Sequence, residues 1–292
     1  MCTNQFLRRD VSRMHNKVCI VTGANAGIGK ATALGLAKRG AIVVMVCRSQ
    51  RRGEAALAQI KQESGNERVS LLLADLASQA SIRQLAASFK ARYHALHVLI
   101  NNAGIIPRRR TVTVDGLETQ FAVNHLAYFL LTNLLLDVLQ ASAPARIINV
   151  SSAVHHGASI PFDDLQSEKS YRPYTVYTQT KLANALFTYE LARRLAGTRV
   201  SVNCLHPGVI ATNLLSDAMG MPRGLRFTTR AVGASPEEGA RTSLYLATSP
   251  EVEGVSGKYF VNNAEAQSSP VSYKEGVARR LWEVSTRLIG PA

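Results

Sequence analysis

Long hydrophobic runs, paired cysteines and metal-ligand spacings are all missing from this sequence. No stretch of the 292 residues reaches the roughly 18 consecutive apolar residues of a membrane-spanning helix, and residues 1–16 lack the apolar core of a signal peptide. The 4 cysteines form no C-x-x-C pair, and the 7 histidines show no H-E-x-x-H pattern. Neither a disulfide framework nor a metal site is therefore indicated, and we expect a cytoplasmic protein without bound metal.

Acidic residues are scarce: 20 Asp and Glu stand against 34 Lys and Arg, for a net charge of +14. A basic surface attracts nucleic acid or anionic membranes. The charges are dispersed and form no nucleic-acid-binding motif, so no specific nucleic acid is expected. The segment 217–230, DAMGMPRGLRFTTR, is basic and partly apolar. It is either a solvated part of a substrate loop or a peripheral contact with an anionic membrane surface.

Apolar strand-like runs alternate with helical patterns along the chain. Strands are predicted near 18–22, 41–47, 69–73, 97–101, 146–150, 199–204 and 257–261, and helices near 29–39, 50–63, 79–92, 116–141, 174–196, 236–248 and 278–290. Such alternation is typical of a parallel sheet between two helical layers. We predict an N-terminal extension at 1–16 and one domain at 17–292. Its class is α/β, a single Rossmann-type doubly wound parallel sheet flanked by helices on both faces.

A glycine-rich turn follows the first predicted strand. Gly23, Gly27 and Gly29 lie in TGANAGIGKATA, with the spacing G-x-x-x-G-x-G. The first glycine suits the tight turn after the strand, the second leaves room for a pyrophosphate, and the third lets the next helix pack closely. The N-terminus of that helix then presents free N–H groups to the phosphates. The strand–turn–helix order favours a dinucleotide site over an unliganded turn.

The residue after the second strand indicates which dinucleotide is bound. An acid at this point would accept a hydrogen bond from the ribose 2′-hydroxyl of NAD. The chain has Arg48 instead, with Arg51 and Arg52 close behind. A guanidinium binds a 2′-phosphate through paired hydrogen bonds, whereas a carboxylate repels it. We therefore predict NADP, with Arg48 on the phosphate and the other two arginines on a solvated helix face.

Tyr177 and Lys181 are four residues apart in TVYTQTKLANA, about one helical turn, so their side chains share a face. An ammonium beside a phenol favours the phenolate, so we expect the Tyr177 pKa to lie below its usual value of about 10. Such a tyrosine can exchange a proton near neutral pH. The spacing is common on exposed helices by itself, and it gains weight here from the nucleotide turn upstream.

Together these residues resemble the short-chain dehydrogenase/reductase family. TGANAGIG at 22–29, NNAG at 101–104 and HPG at 206–208 match its motifs. The resemblance implies hydride transfer between a nicotinamide and an alcohol or carbonyl carbon. It implies a catalytic set of Asn124, Ser152, Tyr177 and Lys181. It also implies cofactor contacts at Gly23, Asn25, Gly27, Ile28, Gly29, Arg48, Asp75, Leu76, Asn102, Ala103, Gly104, Tyr177, Lys181, Pro207, Gly208, Val209 and Thr212.

The resemblance also implies individual roles. Tyr177 donates the proton, Ser152 stabilises the developing oxyanion, and Lys181 holds the nicotinamide ribose. Asn124 holds a water that links Lys181 to solvent, or else it is a simple polar kink. Ser151 competes for the role of Ser152, although strand alternation lets only one of the two face the substrate. Asp75 lies near the adenine, or else it caps the next helix.

Within the family, the chain resembles the retinol dehydrogenase-like members, through CRS at 47–49, DLQSEK at 164–169 and RRLWEVS at 279–285 among other segments. That subgroup implies NADP(H) and a small lipophilic alcohol or carbonyl, with steroid or other hydrophobic ketones as the alternative. A non-catalytic NADP sensor is a remote alternative. The loops near 153–173 and 209–235 would form the substrate pocket. A homodimer would pair through the helices at 116–141 and 174–196, and Leu281, Trp282 and Leu288 would cover the core or a partner chain.

Overall fold

A computed structural model describes residues 14–208 and 234–291 of the chain. At its centre is an eight-stranded sheet with the order β3-β2-β1-β4-β5-β6-β7-β8. The strands are β1 (Val18–Thr22), β2 (Ile42–Cys47), β3 (Val69–Leu73), β4 (Val98–Asn101), β5 (Ala145–Val150), β6 (Val200–His206), β7 (Lys258–Val261) and β8 (Ala264–Ala266). Strands β1 to β7 are parallel, and the predicted doubly wound sheet is confirmed.

The eighth strand was not predicted. It pairs antiparallel with β7 through a two-residue turn, Asn262 and Asn263, which both have positive φ. Asparagine tolerates this conformation, and a pair of such residues makes the hairpin turn that matches strand twist. The sequence therefore contained a turn signal, but the three residues after it, Ala264–Ala266, are too few to predict a strand.

Helices cover both faces of the sheet. They are α1 (Gly27–Lys38), α2 (Gln50–Ser64), α3 (Gln79–Arg92), α4 (Thr119–Phe121), α5 (Ala127–Leu134), α6 (Leu136–Ala141), α7 (Pro173–Arg194), α8 (Pro236–Thr248) and α9 (Glu275–Ile289). Alternate side chains of β1 belong to two different hydrophobic cores. Ile20 packs in the core formed with α3, α5, α7 and α9. Val21 packs in the core formed with α1, α2 and α8. Burial on both faces explains why the strands are continuously apolar.

The single helix predicted at 116–141 is wrong in detail. Residues before Thr119 form a turn closed by an antiparallel bridge between Val112 and Glu118. A π-helical turn, Ala122–Leu126, then separates α4 from α5, and its last bond runs from the Ala127 N–H to the Ala122 carbonyl, five residues back. Such turns commonly occur at functional sites. Asn124 lies at the centre of this one.

The C-terminal helix α9 packs against α7 within the same chain. Leu281 is buried, Leu288 packs on the same core, and the Trp282 ring lies 4.8 Å from the Phe129 ring, centroid to centroid. Arg194 also packs on Trp282, with its guanidinium carbon 4.1 Å from the ring centroid. The predicted core-covering role is therefore confirmed. The same helix covers part of the surface of α5 and α7 through which a homodimer was predicted to pair.

Among the described helices, none is both long and apolar enough to cross a membrane. The basic segment 217–230 lies outside the described residues, so its membrane-contact interpretation stays a prediction. Of the two loops predicted to form the substrate pocket, the one near 209–235 lies almost entirely outside the described residues. From the other loop, Ile160 and Phe162 pack against the core, and the guanidinium of Arg280 on α9 lies 4.2 Å from the Phe162 ring centroid.

Candidate active site

The glycine turn has the geometry that its spacing predicts. Gly23 and Gly27 have φ of 69° and 52°, which only glycine adopts readily. A Cβ on Gly29 would lie 2.4 Å from the Gly23 carbonyl oxygen and 2.5 Å from Asn102 Nδ2. Gly29 therefore lets α1 approach both the turn and the neighbouring strand end.

The N-terminus of α1 is free to bind an anion. Its cap residue Ala26 makes no side-chain cap hydrogen bond, and the first turn contains no acid. Asn25 and Ile28 flank this end and are partly exposed. Uncapped N–H groups and the helix dipole together favour a phosphate. This part of the chain thus fits the pyrophosphate of a dinucleotide.

Arg48 follows β2 and faces Asp75, which follows β3. Their charged groups are 3.9 Å apart and largely exposed, so the guanidinium remains accessible to a ligand. Asp75 Oδ1 accepts from the Ala77 N–H at 3.0 Å, while Ser78 caps α3. The alternative in which Asp75 caps that helix is therefore wrong. The Leu76 side chain packs into the core.

Arg51 and Arg52 are exposed on α2, as the solvated interpretation predicts. Among the ion pairs that the structure describes, none joins Arg51 or Arg52 to Asp75. Among these three arginines, Arg48 is the one that the structure places against Asp75, and this pair follows β2 and β3.

The NNAG segment is held by two residues that sequence reasoning missed. Thr22 Oγ1 accepts from the N–H groups of Asn102 and Ala103 at 2.9 and 3.0 Å, and Asn102 Nδ2 donates to the Thr22 carbonyl at 2.8 Å. The Tyr128 hydroxyl donates to the Ala103 carbonyl at 2.8 Å. A signal for Tyr128 was its position one helical turn after Asn124. Nothing in the sequence singled out the hydroxyl of Thr22.

Asn124 is fully buried and bonded on all sides. Its Oδ1 accepts from the Ile105 N–H at 2.8 Å, and its Nδ2 donates to the Ile105 carbonyl at 3.0 Å and to Thr180 Oγ1 at 3.2 Å. It therefore ties the π-helical turn to the loop after β4 and to α7. A Cβ on Gly104 would lie 3.5 Å from Asn124 Oδ1 and 3.8 Å from Lys181 Nζ, which places all three together.

Tyr177 and Lys181 lie on one face of α7, as predicted. Lys181 Nζ is 5.5 Å from the centre of the Tyr177 ring and donates to the Val150 carbonyl at 2.9 Å. The same ammonium lies 5.9 Å from the centre of the Tyr128 ring. Both members of the pair are buried. The lysine is thus anchored at the carboxyl end of β5, between the tyrosine and the NNAG loop.

The expected lowering of the Tyr177 pKa by Lys181 is wrong for the polypeptide itself. Burial raises the pKa of Tyr177 above its usual value, and the neighbouring Tyr174 adds to the rise. Burial also lowers the pKa of Lys181 to about 7. Desolvation disfavours both charged forms more than their mutual attraction favours them. Tyr177 therefore keeps its proton near neutral pH, which is the form that a proton donor needs.

The structure separates Ser151 from Ser152. Ser151 is buried, and its hydroxyl donates to the Lys181 carbonyl at 2.7 Å, so it anchors α7 to the end of β5. Ser152 is half-buried, and among residues 14–208 and 234–291 its hydroxyl has one long hydrogen bond, accepted from the Val154 N–H at 3.5 Å. Ser152 is consequently the one with a hydroxyl available for a ligand, as the family pattern implies.

All of these groups lie at one edge of the sheet. β1, β4, β5 and β6 run parallel, so Thr22, Asn101, Val150 and His206 end their strands on the same side. Pro207 and Gly208 follow β6 there, with a φ of 90° at Gly208. Val209 and Thr212 lie outside the described residues. Ligands of open parallel sheets bind at this carboxyl edge.

No group of three or more potential metal ligands is found within residues 14–208 and 234–291. His155 is buried and lies in the one-turn helix Ala153–His155, directly after Ser152 in the chain.

Comparison with known proteins agrees with this geometry. Residues 17–221 match the family model of short chain dehydrogenases. Human retinol dehydrogenase 14 is 46% identical, over 98% of this chain and 90% of the relative, and human retinol dehydrogenase 13 is 48% identical, over 94% and 85%. The chain therefore belongs to the short-chain dehydrogenase family, a family of oxidoreductases, and within it is retinol dehydrogenase-like.

Solved structures share the fold over most of the chain. An uncharacterised protein from Mycobacterium paratuberculosis has a TM-score of 0.76 and 34% identity, covering 96% of both chains. RhlG from Pseudomonas aeruginosa, solved as a complex with NADP, has a TM-score of 0.68 and 25% identity, covering 85% of this chain and 94% of its own.

Proposed function

We propose that this protein is an NADP(H)-dependent oxidoreductase that interconverts a lipophilic alcohol and its aldehyde or ketone, of the retinol and retinal type. The observation that carries the proposal is the cluster of Tyr177, Lys181 and Asn124 beside the NNAG loop, at the carboxyl edge of the sheet. Lys181 Nζ donates there to the carbonyl of Val150, and Ser152 follows two residues later in the chain. This arrangement supports the assignment of a proton donor, a hydrogen-bond donor and a basic group beside a helix end that suits a phosphate.

The cofactor proposal rests on two features of the chain. The uncapped end of α1 and the Gly23–Gly29 turn fit a pyrophosphate. Arg48, with no acid beside it in sequence before Glu54, suits a 2′-phosphate better than a 2′-hydroxyl. NADP in the RhlG complex is consistent with this choice. When bound, NADPH would supply the hydride that reaches the carbonyl carbon.

The chain's own residues would protonate and hydrogen-bond the oxygen atom of the substrate. Tyr177, which holds its proton near neutral pH, donates it to the oxygen as negative charge develops. The Ser152 hydroxyl donates a hydrogen bond to the same oxygen, which is worth a few kcal/mol, about 10²-fold in rate, in comparable sites. Lys181 stands between Tyr177 and the NNAG loop, where it can hold the ribose and replenish the proton. Asn124 fixes the loop that borders this path.

The substrate class follows from similarity to the retinol dehydrogenases, whose names specify retinol. A steroid or other hydrophobic ketone is the alternative within the same chemistry. The NADP-sensor alternative requires no proton donor, and a buried Tyr177 beside Lys181 disfavours it.

The test is NADPH consumption with all-trans-retinal, decanal and a steroid ketone offered in parallel. We expect turnover of retinal. Turnover of only the steroid would replace the retinoid assignment and keep the mechanism. If NADPH binds but none of the three is reduced, the assignment of a lipophilic carbonyl substrate fails and the sensor alternative is favoured.

The cofactor assignment predicts a specific loss in Arg48→Ala. We expect the ratio of NADP to NAD affinity to fall about 10-fold or more, because a charge-assisted hydrogen bond contributes roughly 1.5–3 kcal/mol. Dissociation constants for both cofactors, measured by fluorescence titration, give that ratio directly. Arg92→Ala, at an exposed arginine ending α3, is the control and should leave it unchanged. An unaltered ratio in Arg48→Ala would rule out its phosphate role.

A further inference from the structure

A buried histidine lies directly behind Ser152, and the proposed chemistry does not use it. His155 ends the one-turn helix Ala153–His155 and has an exposed fraction of 0%. Its ring packs against the rings of His156 and Tyr259, at centroid distances of 4.4 and 5.0 Å. A fully buried imidazole needs a hydrogen-bond partner on each ring nitrogen, since an unpaired polar atom is costly in the interior.

The partners of His155 determine which nitrogen carries the proton. The backbone N–H of Ser269 points at Nε2 from 3.1 Å, and an amide N–H can only donate. The Ser268 hydroxyl lies 2.8 Å from the same nitrogen. Nε2 is therefore the acceptor, and the proton of the neutral ring is on Nδ1. Nδ1 lies 2.5 Å from the Ser152 carbonyl oxygen and donates to it.

The neutral form is maintained near pH 7 by the surroundings of the ring. Burial lowers the pKa of His155 to about 4, and the nearby His156 and His206 also lower it. Tyr259, the other ring in contact, is a neutral phenol whose pKa burial raises. A protonated ring would turn Nε2 into a donor facing the Ser269 N–H, which the geometry cannot accommodate.

The far side of the ring rests on a rigid anchor after β8. Ser268, Ser269 and Ser272 are all buried. The Ser268 N–H donates to the Tyr273 hydroxyl at 2.8 Å, and the Ser272 hydroxyl donates to the Ser269 carbonyl at 2.5 Å and lies 2.8 Å from the Ser268 hydroxyl. His155 thus spans from Ser152 to a segment that lies 113 residues further along the chain.

We infer that His155 is a positioning residue for Ser152. Within the part of the chain that the structure describes, the Ser152 hydroxyl has one long hydrogen bond, so its direction depends on the orientation of its own backbone, which is extended. The His155 Nδ1–H fixes the Ser152 carbonyl and with it the adjoining peptide plane. That plane sets where the Ser152 side chain points. The buried segment Ser268–Ser272 is therefore part of what orients the hydroxyl toward a substrate oxygen.

Two substitutions of His155 separate the contact that Nδ1 makes from the contact that Nε2 makes. The side-chain amide of asparagine reaches about as far as Nδ1 of histidine, and that of glutamine about as far as Nε2. His155→Asn can thus keep a donor to the Ser152 carbonyl while it loses the Ser269 contact. His155→Gln can keep an acceptor for Ser269 while it loses the Ser152 contact. The same pair at His97 is the matched control, since His97 Nδ1 accepts from the Val18 N–H at the opposite edge of the sheet.

For His155→Gln we expect kcat to fall about 10-fold, part of the roughly 10²-fold or larger effect of removing an oxyanion donor outright. The KM for the carbonyl and the affinity for NADPH should stay within about twofold, because neither depends on the Ser152 direction. His155→Asn should retain most of kcat even where its melting temperature is lower. Both His97 variants should retain wild-type kcat.

If His155 has a purely structural role, His155→Asn should have the lower kcat of the two variants, or kcat should fall in proportion to the melting temperature in both. Either pattern would overturn the inference. A second measurement places both changes in the Ser152→Ala background. If His155 acts through Ser152, His155→Gln costs kcat little there, whereas an independent effect would multiply with that of Ser152→Ala.

The inference rests on the proposed role of Ser152, and the experiments keep the two apart. If Ser152→Ala retains wild-type kcat, the proposed function loses its oxyanion donor. If Ser152→Ala lowers kcat as expected and His155→Gln does not, only the positioning role of His155 is wrong.

Discussion

Tyr177→Phe is expected to lower kcat for carbonyl reduction by about 10³-fold while NADPH binding is retained. General acid catalysis contributes roughly 10²–10⁴-fold, and phenylalanine removes the proton donor while it preserves the ring. The ring is buried beside Lys181, so its loss of one hydroxyl leaves the packing of α7 in place. Steady-state kinetics together with an NADPH titration separate the two effects.

The control for this variant is Tyr245→Phe. It removes a hydroxyl that bonds to Glu251 at 2.9 Å, close to the end of α8. Its kcat should equal that of the wild type. Near-wild-type kcat in Tyr177→Phe would remove Tyr177 from the proposed mechanism, whichever substrate is reduced.

Gly29→Ala is expected to abolish measurable NADPH binding and to lower the melting temperature. The added Cβ would lie 2.4 Å from the Gly23 carbonyl oxygen and 2.5 Å from Asn102 Nδ2. Relief requires α1 to move away from the turn and from the end of β4. Overpacking of this kind costs about 1–3 kcal/mol of folding free energy. The same displacement moves the uncapped helix end from the phosphate position, so binding suffers more than stability.

Gly276→Ala is the matched control for the helix position. Gly276 lies in the first turn of α9, and a Cβ there would meet no atom within 4 Å. Alanine should stabilise that helix slightly, by up to about 1 kcal/mol. Calorimetry and NADPH titration of the two variants provide the comparison. Unchanged NADPH affinity in Gly29→Ala would show that the turn tolerates the displacement and is not the phosphate site.

The Tyr177–Lys181 pair shows which features a local sequence pattern can predict and which it cannot. Spacing alone placed both side chains on one face of α7, since helical geometry has a fixed period. The direction of the Tyr177 pKa could not follow from spacing, because it depends on burial by elements that are distant in sequence. Burial outweighs the charge of Lys181, and that burial comes from the packing of α7 against the sheet and the NNAG loop.

The region around Asn124 shows a second feature that local sequence cannot predict. Its residues predicted a continuous helix, yet the chain forms a π-helical turn there. Within this turn the Asn124 side chain makes three hydrogen bonds to Ile105 and Thr180. Thr180 is distant in sequence, and no local pattern predicts these partners. Thr22 and Tyr128 were missed for the same reason, because their importance lies in contacts with the NNAG loop. His155 became significant only once the segment after β8 was seen against it.

The sequence by itself determined the alternation of strands and helices, the parallel doubly wound sheet, the glycine turn and the set of polar residues at its carboxyl edge. These follow from short-range rules: apolar period, the conformational freedom of glycine and helical spacing. Only the tertiary structure decided which serine is free, which residues hold the loops, that α9 covers α5 and α7, and which groups stay protonated. Those outcomes depend on hydrogen bonds and burial between residues far apart in the chain, and no local pattern encodes them.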